Sequence, residues 1–439
     1  MKATSKIVVL AAAALLISAP AAFAFHSGGV AECEGCHSMH NSFDGTTNVT
    51  GRTFAEGTGV YLLKANDQSG SCLNCHGAGT TLSGYHISTE GIAPYDSTTP
   101  AQMTPGGDFS WLKKTMNVTV RGSVAVDGNP GERHGHNIVA ADFGYTPDTT
   151  LTVAPGGSYP AASLACSSCH DPHGTYRRLF DGSQVRTGLP IFNSGSYNSS
   201  KDPISGVAAV GVYRILAGAG YEPKSTPGFP FANPVMDAVV ASTYNRTEAV
   251  TQTPIAYGQG SSEWCANCHS GMLQSSFTSG MAGLRHPAGN GAEFTNPAIV
   301  SNYNSYVTSG VMTNVDPTKA FSTLAPFEIG SGDYAALKAA AANGGAAMPA
   351  ASATNNVSCL SCHRAHATGF ESMLRFFYLN EFMTVADATN AAAYDSSTTE
   401  NKINFGYNVA QQSRAYNDRP ASAFGPYARS QCNKCHAKD

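Results

Sequence analysis

Every cysteine of this chain belongs to a Cys-x-x-Cys-His segment. The six copies are CEGCH at Cys33–His37, CLNCH at Cys72–His76, CSSCH at Cys166–His170, CANCH at Cys265–His269, CLSCH at Cys359–His363 and CNKCH at Cys432–His436. This is the attachment signature of c-type haem. In each copy two thiols (Cys33 and Cys36, Cys72 and Cys75, Cys166 and Cys169, Cys265 and Cys268, Cys359 and Cys362, Cys432 and Cys435) would bond the porphyrin edge covalently. The next residue (His37, His76, His170, His269, His363 or His436) would be the proximal iron ligand. Disulfide scaffolds, zinc sites and thiol redox sites also use paired cysteines. None of them requires a histidine after every second cysteine, and disulfide scaffolds are short, whereas this chain has 439 residues.

The N-terminus reads as an export signal over residues 1–24. Lys2 and Lys6 precede an apolar run, Ile7–Ile17, and Ala22-Phe23-Ala24 is a small-x-small cleavage site. The expected mature chain, 25–439, is a single haem-cored domain of a secreted protein. The net charge of −4 gives no basic face for a nucleic-acid partner. Only 13% of residues are charged, with 45 Gly and 23 Pro, so turns outnumber helix signals. Such a chain is expected to wrap its haems mostly as loop, with a few short helices. The clearest helix candidates are Asp333–Asn343 and Phe370–Ala386; weak strand signals cover Val118–Val126 and Val207–Ile215. Arg177 and Arg178 read as solvated surface arginines.

Beyond the proximal set, eight histidines remain: His26, His40, His86, His134, His136, His173, His286 and His366. Six distal ligands are needed, so bis-histidine ligation of every iron is within supply. His37-x-x-His40, His170-x-x-His173 and His363-x-x-His366 share one spacing. Residues three apart face the same side of a helical turn. Two such imidazoles cannot grip opposite faces of one porphyrin, so the second must reach another haem or none. Six-coordinate iron leaves no substrate site, and bis-imidazole ligation gives low potentials relative to His/Met. Electron transfer without catalysis is therefore the expected role. A monomeric shuttle, or a multihaem reductase with one open iron, are the alternatives.

Several segments resemble the hexahaem outer-surface cytochromes of metal-reducing bacteria that polymerise into conductive filaments. They are FHSGGVAECEGCHSMH from Phe25, QMTPGGDF from Gln102, CSSCHDPHG from Cys166, SEWCANCH from Ser262, LRHPAGNGA from Leu284, CLSCHRAHA from Cys359 and the terminal CNKCHAKD. The resemblance implies a loop-dominated fold around a continuous stack of six covalently attached, bis-histidine haems in alternating parallel and T-shaped pairs. It implies distal ligation by His86, His136, His173, His286 and His366, and by His40 on the His363 haem of an adjacent subunit. The product is a homopolymer on the outer cell surface, taking electrons from envelope cytochromes to metal oxides, electrodes or other cells. His26 is then a reserve ligand. At His134 the family is expected to carry a basic residue other than histidine, which places His134 on the surface.

Overall fold

The computed structural model describes residues 33–37, 42–43, 46–47, 62–78, 85–115, 119–120, 123–124, 129–241, 255–273, 286–307, 315–316, 325–342, 350–378, 409–418 and 431–436. The signal peptide, His26, His40 and the segment 379–400 lie outside them. Regular structure among the described residues is sparse, and each haem motif lies on or ends a short helix or 3-10 turn. Helix α1 is Cys33–Cys36; α2 is Gln68–His76; α3 is Ser261–Cys265. Helix α4 is Pro297–Ser305, α5 Tyr334–Ala342, α6 Cys359–Cys362 and α7 Val409–Ala415. The third and sixth motifs make 3-10 turns at Cys166–Ser168 and Cys432–Lys434.

Local chemistry explains the helix starts. Asp67 accepts from Gly70 N at 2.6 Å ahead of α2, and Asn296 accepts from Ala298 N at 2.9 Å with Pro297 in the first turn of α4. Asp333 accepts from Ala335 N and Ala336 N at 2.9 and 3.3 Å, as the alanine-rich run predicts. The second helix candidate is not a helix in its described part. Only Glu371–Met373 turns, as 3-10, and Ser372 and Met373 are left-handed (φ 57° and 58°), which no right-handed helix tolerates.

Strands among the described residues are two residues long and antiparallel: β1 Ser42–Phe43 with β2 Thr46–Thr47, and β3 Thr119–Val120 with β4 Ser123–Val124. Strand β5, Arg177–Arg178, pairs with both β6, Gln184–Val185, and β7, Val210–Gly211; β8, Ala238–Val239, pairs with β9, Ala256–Tyr257. The Val118–Val126 signal thus marks a hairpin. Val207–Ile215 holds only β7, before the chain tightens into a 3-10 turn at Tyr213–Ile215. Arg178 is not solvated: it is 5% exposed and ion-paired with buried Asp237.

Apolar packing is broken into several small clusters. One gathers Tyr176, Val212, Leu216, Phe231, Val240 and Leu360; in a second, Leu337 and Ala341 of α5 pack on Val210, Val239 and Ala256. Two more surround Leu73 with Phe109 and Phe294 with Tyr303. A chain whose interior is shared with large apolar discs divides its own core in this way.

Candidate haem sites

Each motif folds its histidine back by one turn. His37 N, His170 N, His269 N, His363 N and His436 N each donate to the carbonyl of the first cysteine of their motif, at 2.9 to 3.0 Å. The thiols and the imidazole are thereby gathered on one side of a single turn.

Backbone carbonyls then fix the imidazole tautomers. His76 Nδ1 lies 2.7 Å from Tyr85 O, His170 Nδ1 2.9 Å from Arg214 O, His269 Nδ1 2.8 Å from Pro155 O and His363 Nδ1 2.7 Å from Ser372 O. The same holds for His136 with Ala365 O at 2.7 Å and His286 with Pro287 O at 2.8 Å. A carbonyl only accepts, so Nδ1 carries the proton and Nε2 keeps the lone pair that a metal needs. Burial lowers His136 to about 4 and His366 to about 3, and also lowers His363. These rings stay neutral, which is the ligating form.

The odd motifs share a further device that sequence reasoning missed. Arg214 and Ile215 (φ 50° and 49°) and Ser372 and Met373 (φ 57° and 58°) are left-handed non-glycine pairs, and each pair aims its first carbonyl at a proximal histidine. The following chain is latched to the motif: Ala217 N donates to Cys169 O at 2.9 Å and Arg375 N to Cys362 O at 2.8 Å. At the first motif, Leu62 (φ 56°) precedes the same contact, Lys64 N to Cys36 O at 2.9 Å. A leucine one residue before each donor bridges the proximal histidine: His37 with Leu63, His170 with Leu216, His363 with Leu374. That recurring leucine was the only signal in the sequence.

Imidazole spacing gives a direct test of fit to haem. A metal-bound imidazole nitrogen sits roughly 2 Å from the metal and the ring centroid roughly 1 Å beyond, so two rings on opposite faces of one iron have centroids roughly 6 Å apart. His37 and His173 are stacked at 6.5 Å, and His170 and His366 lie at 6.5 Å. His136 and His269 are 6.0 Å apart, as are His286 and His436. All four pairs join a proximal histidine to one of the expected distal set, and the separations suit an intervening iron.

His366 owes its place to a glycine pair. A Cβ on Gly106 would lie 2.6 Å from His366 Nδ1, and one on Gly107 (φ +91°) 1.8 Å from Ala367 O. Phe109 stacks on the His366 ring at 4.6 Å.

Neighbouring motifs meet in sequence order, through alternate cysteines. Burial and then Cys75 push the Cys36 thiol up; the hydrogen bond with Cys166 does the same to Cys72. Cys169 is raised by burial and then by Cys268, Cys265 by its hydrogen bond with Cys359, and Cys362, to about 12, by burial and then by Cys432 and Cys435. Second cysteines face second, then first face first, over the first four joints; at the last, Cys362 faces both cysteines of the sixth motif. Matching serines pin the two first-to-first joints: Cys166 N donates to Ser69 Oγ at 3.1 Å and Cys359 N to Ser262 Oγ at 3.0 Å. Each serine stands three residues before its own motif. Cys33 and Cys432, the outer first cysteines of the series, are exposed, while the other ten are partly covered.

Two histidines stand apart. His86 is partly buried with Nε2 buried and unpartnered, and among the described residues it has no imidazole at the pair separation. His134 is not at the surface: it is 0% exposed, its Nδ1 lies 3.1 Å from Trp111 O and burial lowers it to about 4. The Gly131–His134 turn packs it beneath the Phe109–Lys113 turn that carries Trp111.

Attachment turns, tautomer-fixed imidazoles and iron-spaced pairs together define a multihaem c-type cytochrome. Comparison narrows the class. The chain is 56% identical over 433 residues to the C-type cytochrome OmcS of Geobacter sulfurreducens, covering 98% of each. It belongs to the OmcS family of c-type cytochromes and carries six covalently attached haems. Two solved structures are similar, the OmcS nanowires of Geobacter sulfurreducens determined by cryo-EM (TM-score 0.81) and the Outer Membrane Cytochrome S filament of the same organism (TM-score 0.82). Each is 54% identical, covering 94% of this chain and 100% of that one. No family model matches the chain.

Proposed function

We propose that residues 25–439 form one hexahaem unit that polymerises head to tail outside the cell and carries electrons from envelope cytochromes to extracellular acceptors. Bound haem supplies the one-electron couple; the chain holds each iron, fixes its axial imidazoles and spaces the series. With both axial positions taken by histidine, no iron is left for substrate, so the role is conduction rather than catalysis.

The observation that carries this reading is a stride of two motifs. His173, beside the third proximal histidine, pairs with His37 of the first; His366, beside the fifth, pairs with His170 of the third. His40 stands in the same relation to the first motif. Two motifs further back lies the fifth motif of a preceding subunit, and among the described residues His363 has no second imidazole at the pair separation. On this stride His40 ligates the His363 haem of that preceding copy. A head-to-tail contact of this kind does not close on itself and yields a filament. The exposed Cys33 and Cys432 support the same joint, since one more first-to-first contact would cover both.

Even haems follow a forward stride. His136, between the second and third motifs, pairs with His269 of the fourth, and His286, between the fourth and fifth, with His436 of the sixth. Extended to His76, this stride points upstream of the first motif, where His26 stands, in preference to His86. The test is cryo-electron microscopy of the holoprotein with electronic spectra of three variants. His40→Ala should disperse filaments into single subunits, and His26→Ala should leave one high-spin iron where His86→Ala leaves none. Filaments that survive His40→Ala would refute the trans bond, and a high-spin iron in His86→Ala alone would return that ligand to His86.

A further inference from the structure

The joint between the fourth and fifth motifs contains a carboxylate that haem attachment does not require. Glu328 is 0% exposed. Its backbone pairs with Asn356 in both directions at 3.0 Å. One carboxylate oxygen, Oε1, takes every donor on offer: Ser261 N at 3.1 Å, Ser262 N at 3.3 Å and the Ser261 hydroxyl. The other, Oε2, is buried without a partner, and so is Oδ1 of Asn356. Side chains directly opposed in an antiparallel pair share a face. Two unpartnered acceptors are thus buried on one face of this pair, and a buried carboxylate oxygen without a donor costs free energy unless a proton is supplied.

We propose that Glu328 is a redox-linked proton site serving the fourth and fifth haems, binding H⁺ at Oε2 on reduction and releasing it on oxidation. This rests on the haem placement proposed above. Cys265 and Cys359 both feel its charge, and Ser262, which donates to Glu328 through its backbone, also accepts from Cys359 N. The carboxylate is thus joined through Ser262 to both attachment turns. An electron held by either haem would add one negative charge near it. Glu–COO⁻ then takes one proton from water to become Glu–COOH, forming one O–H bond; loss of the electron reverses the step. The electron comes from the conduction itself, so no other reactant is needed.

The groups facing Glu328 agree. From α3 come the neutral donors Ser261 and Ser262 and one charge, Glu263, whose own Oε2 is buried and unpartnered and whose charge favours protonation of Glu328. From α6 comes Cys359, and from the paired strand Asn356. Thioether formation removes both cysteines as acids. Burial, opposed by the serine hydrogen bonds, raises Glu328 to about 7, within reach of neutral solution. One proton per electron changes the reduction equilibrium at most tenfold per pH unit, and a partly coupled site changes it less.

The test uses loaded filaments of wild type and Glu328→Gln. Protons taken up per electron are counted in weakly buffered solution near neutral pH, and reduced-minus-oxidised infrared difference spectra are recorded in H₂O and D₂O. Wild type should take up a fraction of a proton and show a deuterium-sensitive carboxylic-acid carbonyl band on reduction; E328Q should lose that uptake and that band. Equal uptake in both proteins, or no band in wild type, overturns the proposal. If E328Q fails to load haem, the wild-type infrared result decides alone. Failure of the haem assignment would appear separately, as high-spin iron in the wild-type electronic spectrum before any proton is counted.

Discussion

Replacing Gly107 by alanine should damage one haem site and little else. The added Cβ would sit 1.8 Å from Ala367 O, whereas real Cβ contacts stay beyond about 3 Å. Ala367 cannot retreat freely, because it bridges Gly107 on one side and Gly135 on the other, and His366 N donates to Gly106 O at 2.8 Å. The left-handed backbone itself costs a non-glycine residue roughly 1–2 kcal/mol. Forcing a methyl into a packed site adds roughly 1–3 kcal/mol. Gly91 supplies the control: its φ is +69°, yet nothing lies within 4 Å of its would-be Cβ. Gly91→Ala should therefore lose only the backbone part, and Gly107→Ala the sum, roughly 2–5 kcal/mol. Urea denaturation of the loaded proteins measures the difference. The electronic spectrum reads the site, because displacing His366 should convert one iron of six from low to high spin. Equal midpoints for the two variants, with all irons low spin in both, would refute the reasoning.

Ser372→Gly relieves a left-handed serine while keeping the carbonyl that receives His363 Nδ1, so the stability read from urea denaturation should hold or rise by up to about 1 kcal/mol and the spectrum should not change. Leu337→Ala empties a fully buried position of α5 packed on Val210, Val239 and Ala256, and should cost about 2–5 kcal/mol in the same assay without altering any haem band. Glu328, raised from 4.5 to about 7, binds a proton in the folded chain where the unfolded chain does not. Its contribution is present below the unfolded value and is lost as pH rises through the folded one. Stability should fall by up to about 3 kcal/mol between pH 5 and 8, and Glu328→Gln should flatten that part of the profile; a wild-type profile as flat as the variant's would contradict the burial argument.

The attachment turns were legible because porphyrin chemistry imposes their spacing on the sequence itself. The α5 helix was legible for a similar local reason, an aspartate cap followed by alanines. Ligand pairing was not, since His37 and His173 are joined across a distance in sequence that no local pattern encodes. The Arg214 and Ser372 latches were hidden because left-handed backbone is ordinarily announced by glycine, and here none is present. The same latch explains why residues 370–378, the described part of the Phe370–Ala386 candidate, are not helical. Apolar spacing suggested a helix, but Phe370 and Phe377 reach their buried positions on either side of a chain reversed at Ser372 to serve His363. His134 misled for a different reason: absence from the ligand set says nothing about burial, and the neutral imidazole is buried with Nδ1 donating to Trp111 O and Nε2 unpartnered.

The odd-numbered latches, the two strides and the alternating cysteine contacts all repeat every two motifs. On the proposed haem placement the chain reads as three dihaem modules in series, and the proposed subunit joint is one more boundary between modules. Within the chain, His173 and His366 pair across those boundaries with His37 and His170; on the proposal above, His40 takes the same part at the first motif. Spacing and latch would then be set by the module, whether its neighbour belongs to the same polypeptide or the next. Polymerisation on the proposed ligation needs no special interface: the imidazole that would join module to module inside the subunit would join subunit to subunit in the filament.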